Sequence, residues 1–128
     1  MMIDTSDVLA ILFDEPERRT FNEKIEADTT RLMSAASYLE TAIIVDDRLG
    51  REGGRDLRLF MAEADIEVVS ATIEQAEIAR DAYRRYGRGN HPAGLNYGDC
   101  FAYALASVAS EPLLFKGNDF SKTDLAAA

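Results

Sequence analysis

The stretch Leu95-Asn-Tyr-Gly-Asp-Cys-Phe-Ala-Tyr-Ala-Leu-Ala106 carries most of the information about the fold. It predicts a helix over Asp99–Ala109. Because the residues of this helix are almost all small or apolar, it should be buried between a sheet and a neighbouring element. Asp99 lies in the first turn, where the helix dipole favours a negative group. An acid at that position also projects toward the end of the sheet, where ligands bind in open α/β folds.

Short apolar segments alternate with longer helical patterns along the chain, which predicts an α/β fold with a central parallel sheet. The predicted strands are Met1–Asp4, Thr30–Ser34, Ile66–Ser70 and Pro112–Lys116. The predicted helices are Thr5–Phe13, Pro16–Ala27, Ala36–Leu49, Arg55–Ala64, Ile73–Tyr86 and Asp99–Ala109. Gly50 is expected to end the third helix, and the Gly53-Gly54 pair to begin the fourth. Since no linker or repeat interrupts the pattern, residues 1–128 are predicted to form one domain.

The composition limits the classes of function. Hydrophobic residues make up 47% of the chain and charged residues 29%, as in ordinary globular proteins. No apolar run is long enough to cross a bilayer and no signal peptide is evident, so we predict a cytoplasmic protein without membrane contact. Cys100 is the single cysteine, which excludes an internal disulfide and a cysteine-rich zinc site.

The net charge of −9 argues against nonspecific binding of nucleic acid, which needs a basic surface. A protein that holds a cation among its acids is a partial exception, because the bound ion changes the local field. A basic partner protein would also suit this charge.

Four carboxylates lie where a predicted strand should meet a helix or a loop. They are Asp4, Glu40, Asp99 and Asp119. Acids placed in this way could converge at one edge of a parallel sheet, where a divalent cation would offset their repulsion. Each also has an ordinary structural explanation. Asp4 and Asp99 could cap helices, Glu40 could lie at a solvated helix edge, and Asp119 could belong to a solvated turn.

Further residues near these acids are candidates for the same site. Asp7 and Asp124 are close enough along the chain to compete as ligands. Ser6 follows Asp4 closely, and its hydroxyl could orient a water molecule or contact the substrate. A basic run lies upstream of Asp99 and consists of Arg80, Arg84, Arg85 and Arg88. It is either a solvated helix face or a rim that contacts phosphates, with Arg84, Arg85 and Arg88 as the candidate contacts.

Taken in order, these segments resemble the VapC-type toxins of the PIN-domain superfamily, which are small ribonucleases. The resemblance covers essentially the whole chain. It rests on Met2-Ile-Asp-Thr-Ser6, Ser37-Tyr-Leu-Glu40, Leu95–Ala106 and Leu113-Leu-Phe-Lys-Gly-Asn-Asp-Phe-Ser-Lys-Thr-Asp124. The last two segments are the specific ones. The fold that this resemblance implies is a three-layer α/β/α sandwich around a parallel sheet.

The resemblance also implies an RNA-cleaving site that depends on Mg²⁺ or Mn²⁺. The metal-ligand positions of the family fall on Asp4 and Asp99, and Glu40 and Asp119 complete the acidic cluster. Toxins of this kind pair with a VapB-type antitoxin that blocks the site, and they are commonly homodimers. Asp7 departs from the pattern, because many relatives have an apolar or small residue there, and its charge could alter metal occupancy.

Two other functions are compatible with the sequence. An aspartate-based phosphatase would use Asp4 as a nucleophile, but such sites usually have a second acid two residues on, where this chain has Ser6. A PIN-like binding module without catalysis would keep the fold and lose the chemistry. The presence of all four acids argues against that loss.

Overall fold

The computed structural model describes residues 1–128 and contains a parallel sheet flanked by helices. The strands are β1 Met2–Ile3, β2 Leu32–Ser34, β3 Glu67–Val69 and β4 Leu113–Leu114. They lie in the order β3-β2-β1-β4. Met2 pairs in parallel with Leu32 on one side and with Leu113 on the other. The predicted parallel sheet is confirmed, and β1 is an inner strand that delivers the chain to Asp4.

Five helices and one short turn of 3₁₀ helix complete the fold. They are α1 Thr5–Leu12, α2 Arg18–Ala27, α3 Ala35–Glu63, α4 Ile73–Tyr86, α5 Tyr97–Ala109 and the 3₁₀ turn Phe120–Lys122. Helix α5 begins two residues before the predicted start, because Asn96 is its N-terminal cap. None of these helices combines the length and the apolar character needed to span a membrane.

Neighbouring residues of the strands point to opposite faces of the sheet, and each face is covered by helices. Ile3 and Leu114 belong to a core that includes buried residues of α1, α2 and α3. Met2 and Leu113 belong to a second core, which includes buried residues of α4 and α5. These two cores confirm the three-layer α/β/α arrangement.

Helix α3 differs from the prediction around its glycines. Gly50 interrupts the helical conformation, with φ of 64° and ψ of −155°, as expected of a residue that ends a helix. The predicted helix start at Gly53-Gly54 is wrong, because helical structure resumes directly after Gly50. A Cβ on Gly53 would lie 2.3 Å from the Cβ of Leu49, so Gly53 permits a close approach of the chain rather than starting a helix.

Candidate acidic site

Asp4 connects the end of β1 to the start of α1. Its Oδ2 accepts hydrogen bonds from the Ser6 backbone N–H at 3.1 Å and from the Ser6 hydroxyl at 2.7 Å. The Ser6 oxygen in turn accepts a hydrogen bond from the Lys116 backbone N–H at 2.9 Å. Since Lys116 follows β4, these bonds tie two neighbouring strand ends together at Asp4. The proposed contact of Ser6 with RNA stays a prediction, and its hydroxyl serves Asp4 in this structure.

Asp4 is buried, and its surroundings disfavour the ionised form. The pKa of Asp4 is raised, and burial is the largest cause. The hydrogen bonds from Ser6 lower the pKa, whereas the charge of the Glu40 carboxylate raises it. A bound cation would oppose both effects, because it stabilises the carboxylate.

Asp7 lies beneath Asp4 and is fully buried. Its Oδ2 accepts a hydrogen bond from the Asp4 backbone N–H at 3.0 Å, which completes a capping box at the start of α1. Its Oδ1 has no hydrogen-bond partner. Burial, and then the charge of Asp4, raise the pKa of Asp7 well above its usual value. The structure therefore places Asp7 at the site as a support for the Asp4 backbone.

Asp99 occupies the equivalent position at the start of α5. Its Oδ2 accepts a hydrogen bond from the Asn96 backbone N–H at 2.9 Å, and the Asn96 side chain accepts one from the Asp99 backbone N–H at 2.9 Å. The pKa of Asp99 is raised to about 6, and burial is the largest cause. The negative charges of Asp4, Asp119 and Glu40 act in the same direction, and together with burial they outweigh the hydrogen bond from Asn96, which lowers the pKa.

Glu40 is half-buried on α3 and reaches the first turn of α5. Gly98 makes this approach possible, because a Cβ on Gly98 would lie 2.5 Å from the Glu40 Oε2. The structure thus brings Glu40 next to the residue that precedes Asp99. Gly98 and the cap Asn96 were not among the predicted site residues. The sequence held one signal for Gly98: it is a glycine in the first turn of a helix, where alanine would be the better helix former.

Asp119 is exposed and precedes the 3₁₀ turn Phe120–Lys122. Its charge acts on Asp99, so it lies in the same acidic region. Asp124 is held elsewhere, because its carboxylate accepts hydrogen bonds from the Tyr103 hydroxyl at 2.6 Å and from Arg85 at 3.4 Å. The arginines of the basic run therefore have different surroundings. Arg85 is engaged with Asp124, whereas Arg84 faces a separate groove.

The donor set fits a hard divalent cation. All four candidate acids offer oxygen, and the neighbouring Cys100 thiol stays protonated, because burial and Asp99 raise its pKa to about 11. No three acidic, histidine or cysteine side chains gather closely enough to enclose a metal by themselves. Mg²⁺ usually takes one or two carboxylates and keeps several waters, so a site for this ion does not require three such side chains. Asp4 and Asp99 remain the predicted pair, and the charge of Asp4 acts on Asp99.

Comparisons with known proteins identify the family of the chain. The PIN domain family model matches residues 1–125. Ribonuclease VapC30 of Mycobacterium tuberculosis is 54% identical over 126 residues, which cover 98% of this chain and 96% of that protein. These two matches carry the family assignment.

Solved structures share the fold. VapC20 of Mycobacterium tuberculosis, described as a sarcin-ricin loop cleaving toxin, has a TM-score of 0.80 at 15% identity, covering 99% of this chain and 97% of that one. A chain of a toxin-antitoxin complex from Klebsiella pneumoniae has a TM-score of 0.71 at 19% identity, and the match covers 99% of this chain and 95% of that one. The chain therefore belongs to the PIN-domain family and, within it, to the VapC ribonucleases.

Proposed function

We propose that this protein is an endoribonuclease that depends on a divalent metal and acts as the toxin of a type II toxin-antitoxin pair. The observation that supports this most directly is the electrostatic coupling of Asp99 to Asp4, Glu40 and Asp119 at one edge of the sheet. Acids crowded in this way repel one another unless a cation lies among them. Membership of the VapC ribonucleases assigns RNA as the substrate class.

The residues of the chain divide the work of hydrolysis. Asp4 and Asp99 would hold Mg²⁺, or Mn²⁺ in its place, through carboxylate oxygens. When bound, the ion would supply polarisation of the scissile phosphate and acidify a water molecule. Glu40 and Asp119 would orient the attacking water, and one of the two would accept its proton. Ser6 keeps the Asp4 carboxylate in place through its 2.7 Å hydrogen bond, and Asn96 does the same for Asp99 through its backbone.

The partners follow from charge and exposed surface. A VapB-type antitoxin that blocks the site with a basic segment would suit the acidic cluster and the net charge of −9. A homodimer interface is favoured on α3, where Leu39 and Ile43 lie one turn apart and are 59% and 52% exposed. We place the protein in the cytoplasm, where the lone Cys100 would stay reduced.

The test compares purified wild-type protein with Asp4→Asn and Asp99→Asn on labelled RNA, with Mg²⁺ and with EDTA. We expect each variant to lose cleavage by more than about a hundredfold, because changing residues that merely support a metal ligand already costs roughly 10–100-fold. Both should keep wild-type circular dichroism, since asparagine retains an oxygen for the cap. Sequencing the ends of the cleaved RNA would identify the target.

The matched control is Asp47→Asn, which removes one exposed carboxylate from α3 outside the acidic region. It should cleave at the wild-type rate. Full activity in Asp99→Asn would reject the site assignment, and cleavage that persists in EDTA would reject the metal.

A further inference from the structure

A groove of about 810 Å³ lies between α4 and α5. Its walls combine aromatic and basic side chains, and no acidic side chain lines it. The aromatic side chains of the groove are Tyr83, Tyr97 and Phe101, and the basic ones are Arg80, Arg84 and Arg88. This composition is unusual in a chain of net charge −9, because three arginines line one surface that carries no acidic side chain.

Two of the arginines are free to meet a ligand. Arg84 and Arg88 are exposed, and their side chains form no ion pair or hydrogen bond within the chain. Arg80 is 3.7 Å from Glu77, an exposed pair that contributes little. Arg85, by contrast, is occupied by Asp124 and by the Tyr86 hydroxyl. The groove therefore presents guanidinium groups that match the geometry of phosphate.

The aromatic side chains are unusually accessible. Tyr97 is 78% exposed, and it meets the ring of Phe101 edge-on with 5.1 Å between centroids. Tyr83 is 43% exposed on the facing helix. Exposed rings held in place by a neighbour offer faces on which unpaired bases can stack.

The groove meets the acidic site at the start of α5. Asn96 lines the groove and is also the residue that caps α5 and hydrogen-bonds Asp99. Cys100 follows Asp99 directly and lines the groove too. A strand whose phosphate reaches Asp99 would thus find the aromatic and basic walls next to it along the same helix.

We propose that the α4–α5 groove binds the single-stranded RNA next to the cleaved bond. Tyr97 and Tyr83 stack on bases, and Arg84 and Arg88 contact the phosphates. This assignment rests on the proposed ribonuclease function and specifies where the substrate lies. A second copy of the chain is a poorer occupant, because a two-fold interface sets the same surface on both partners and would bring the unpaired arginines together.

The experiment measures the binding of a fluorescent single-stranded RNA of about 12 nucleotides, a length within the range that such grooves cover. Anisotropy is recorded in EDTA so that the wild-type protein binds without cutting. Arg84→Ala/Arg88→Ala should weaken binding at least tenfold. It should also reduce the slope of log affinity against log salt by about 1.4, since each phosphate contact on single strands contributes about 0.7.

Tyr97→Ala should weaken binding by about fivefold or more, with little change in the salt slope, because it removes stacking rather than charge. The matched control is Arg55→Ala/Arg58→Ala, which removes two exposed arginines from α3. Its RNA affinity should lie close to that of the wild type at equal ionic strength. Circular dichroism of each variant shows that the fold is retained.

The outcomes separate the groove from the nuclease. If Arg84→Ala/Arg88→Ala binds and cleaves RNA like the wild type, the groove assignment falls and the proposed function stands. If the wild type binds through the groove but never cleaves, the groove stands and the nuclease falls. If the wild type neither binds nor cleaves RNA, both fall. If Tyr97→Ala changes only the sedimentation mass and leaves RNA affinity intact, the groove is an interface between copies and the RNA assignment is overturned.

Discussion

Asp99 binds its proton more tightly in the folded chain than in the unfolded one, where its pKa would be near 3.8 rather than about 6. The sign of the effect follows from linkage. The folded state binds more protons between these two values, so the stability due to Asp99 is fully present below pH 3.8. It is lost as the pH rises through about 6. In metal-free protein, protonation of this residue therefore stabilises the fold.

We predict that Asp99→Asn flattens the dependence of the unfolding free energy on pH between about 4 and 6. Urea titrations of the wild type and the variant in EDTA, at several pH values, give the difference directly. Asp4 and Asp7, whose pKa values are also raised, titrate in both proteins, so the variant should keep part of the slope. Parallel curves over this range would show that the pKa of Asp99 is not raised in the folded chain.

The sequence allowed the capping roles of Asp4 and Asp99 to be predicted, because a cap depends on residues within one turn. It also predicted that Asp4, Glu40, Asp99 and Asp119 converge at one edge of the sheet, and in the structure the charges of the other three act on Asp99. The contact between Gly98 and Glu40 could not be predicted from the sequence, since the two residues lie on different helices and only the packing of α3 against α5 brings them together. The same applies to Arg85, whose partner Asp124 comes from the end of the chain.

At the scale of the elements, Gly98 determines how closely α3 can approach α5. We predict that Gly98→Ala lowers RNA cleavage at least about tenfold, the lower end of the effect of disturbing a supporting residue at a metal site. The added Cβ would displace the Glu40 carboxylate. Stability should hold or rise by up to about 1 kcal/mol, because alanine is the better helix former. Thermal melts and cleavage rates on the same preparation separate the two effects.

Glu40→Gln is the companion variant for Gly98→Ala. Because both changes act through one carboxylate, the double variant should lose little more activity than either single variant. Additive losses would mean that Gly98 acts by another route.

The break in α3 gives a second prediction. Gly50 has φ of 64° and ψ of −155°, a conformation that is essentially restricted to glycine. Gly50→Ala should destabilise the protein by about 1–3 kcal/mol, measured as a lower urea midpoint with an unchanged slope. Glu52→Ala, at an exposed helical position nearby, should change stability by less than about 0.5 kcal/mol. Equal stability of the two variants would be inconsistent with this backbone geometry.

The predicted strands and helices were largely correct because hydrophobic periodicity reports burial on one face. The predicted ends of strands and helices were less accurate where tertiary contacts determine them. The fourth strand shortened from the predicted Pro112–Lys116 to Leu113–Leu114, since the Lys116 backbone N–H is taken by Ser6. The Gly53-Gly54 pair of α3 was misassigned, because a glycine that allows a close approach and one that marks a helix boundary look alike in sequence.

For the whole molecule, a cation that binds only the folded state should raise the melting temperature. At a concentration of Mg²⁺ a hundredfold above its dissociation constant, the gain is about 2.7 kcal/mol. Added salt also relieves the self-repulsion of a chain with net charge −9, so NaCl of equal ionic strength is the reference. In the wild type, we expect Mg²⁺ to raise the melting temperature more than NaCl does. In Asp4→Asn/Asp99→Asn, the two salts should raise it equally. No difference in the wild type would contradict a preformed site.

The capping bonds of Asp4 and Asp99, the two acids proposed to hold the metal, have a consequence for inhibition. The Oδ2 atoms of Asp4 and Asp99 already accept backbone N–H groups, which leaves one oxygen of each for a cation. Since Mg²⁺ takes six ligands, an ion held by those two oxygens would leave four positions for other ligands. Small molecules that present two or three coplanar oxygens, such as hydroxamates, could fill several of these positions at once. A chelating head group joined to an aromatic tail that reaches Tyr97 is therefore a rational starting point for an inhibitor.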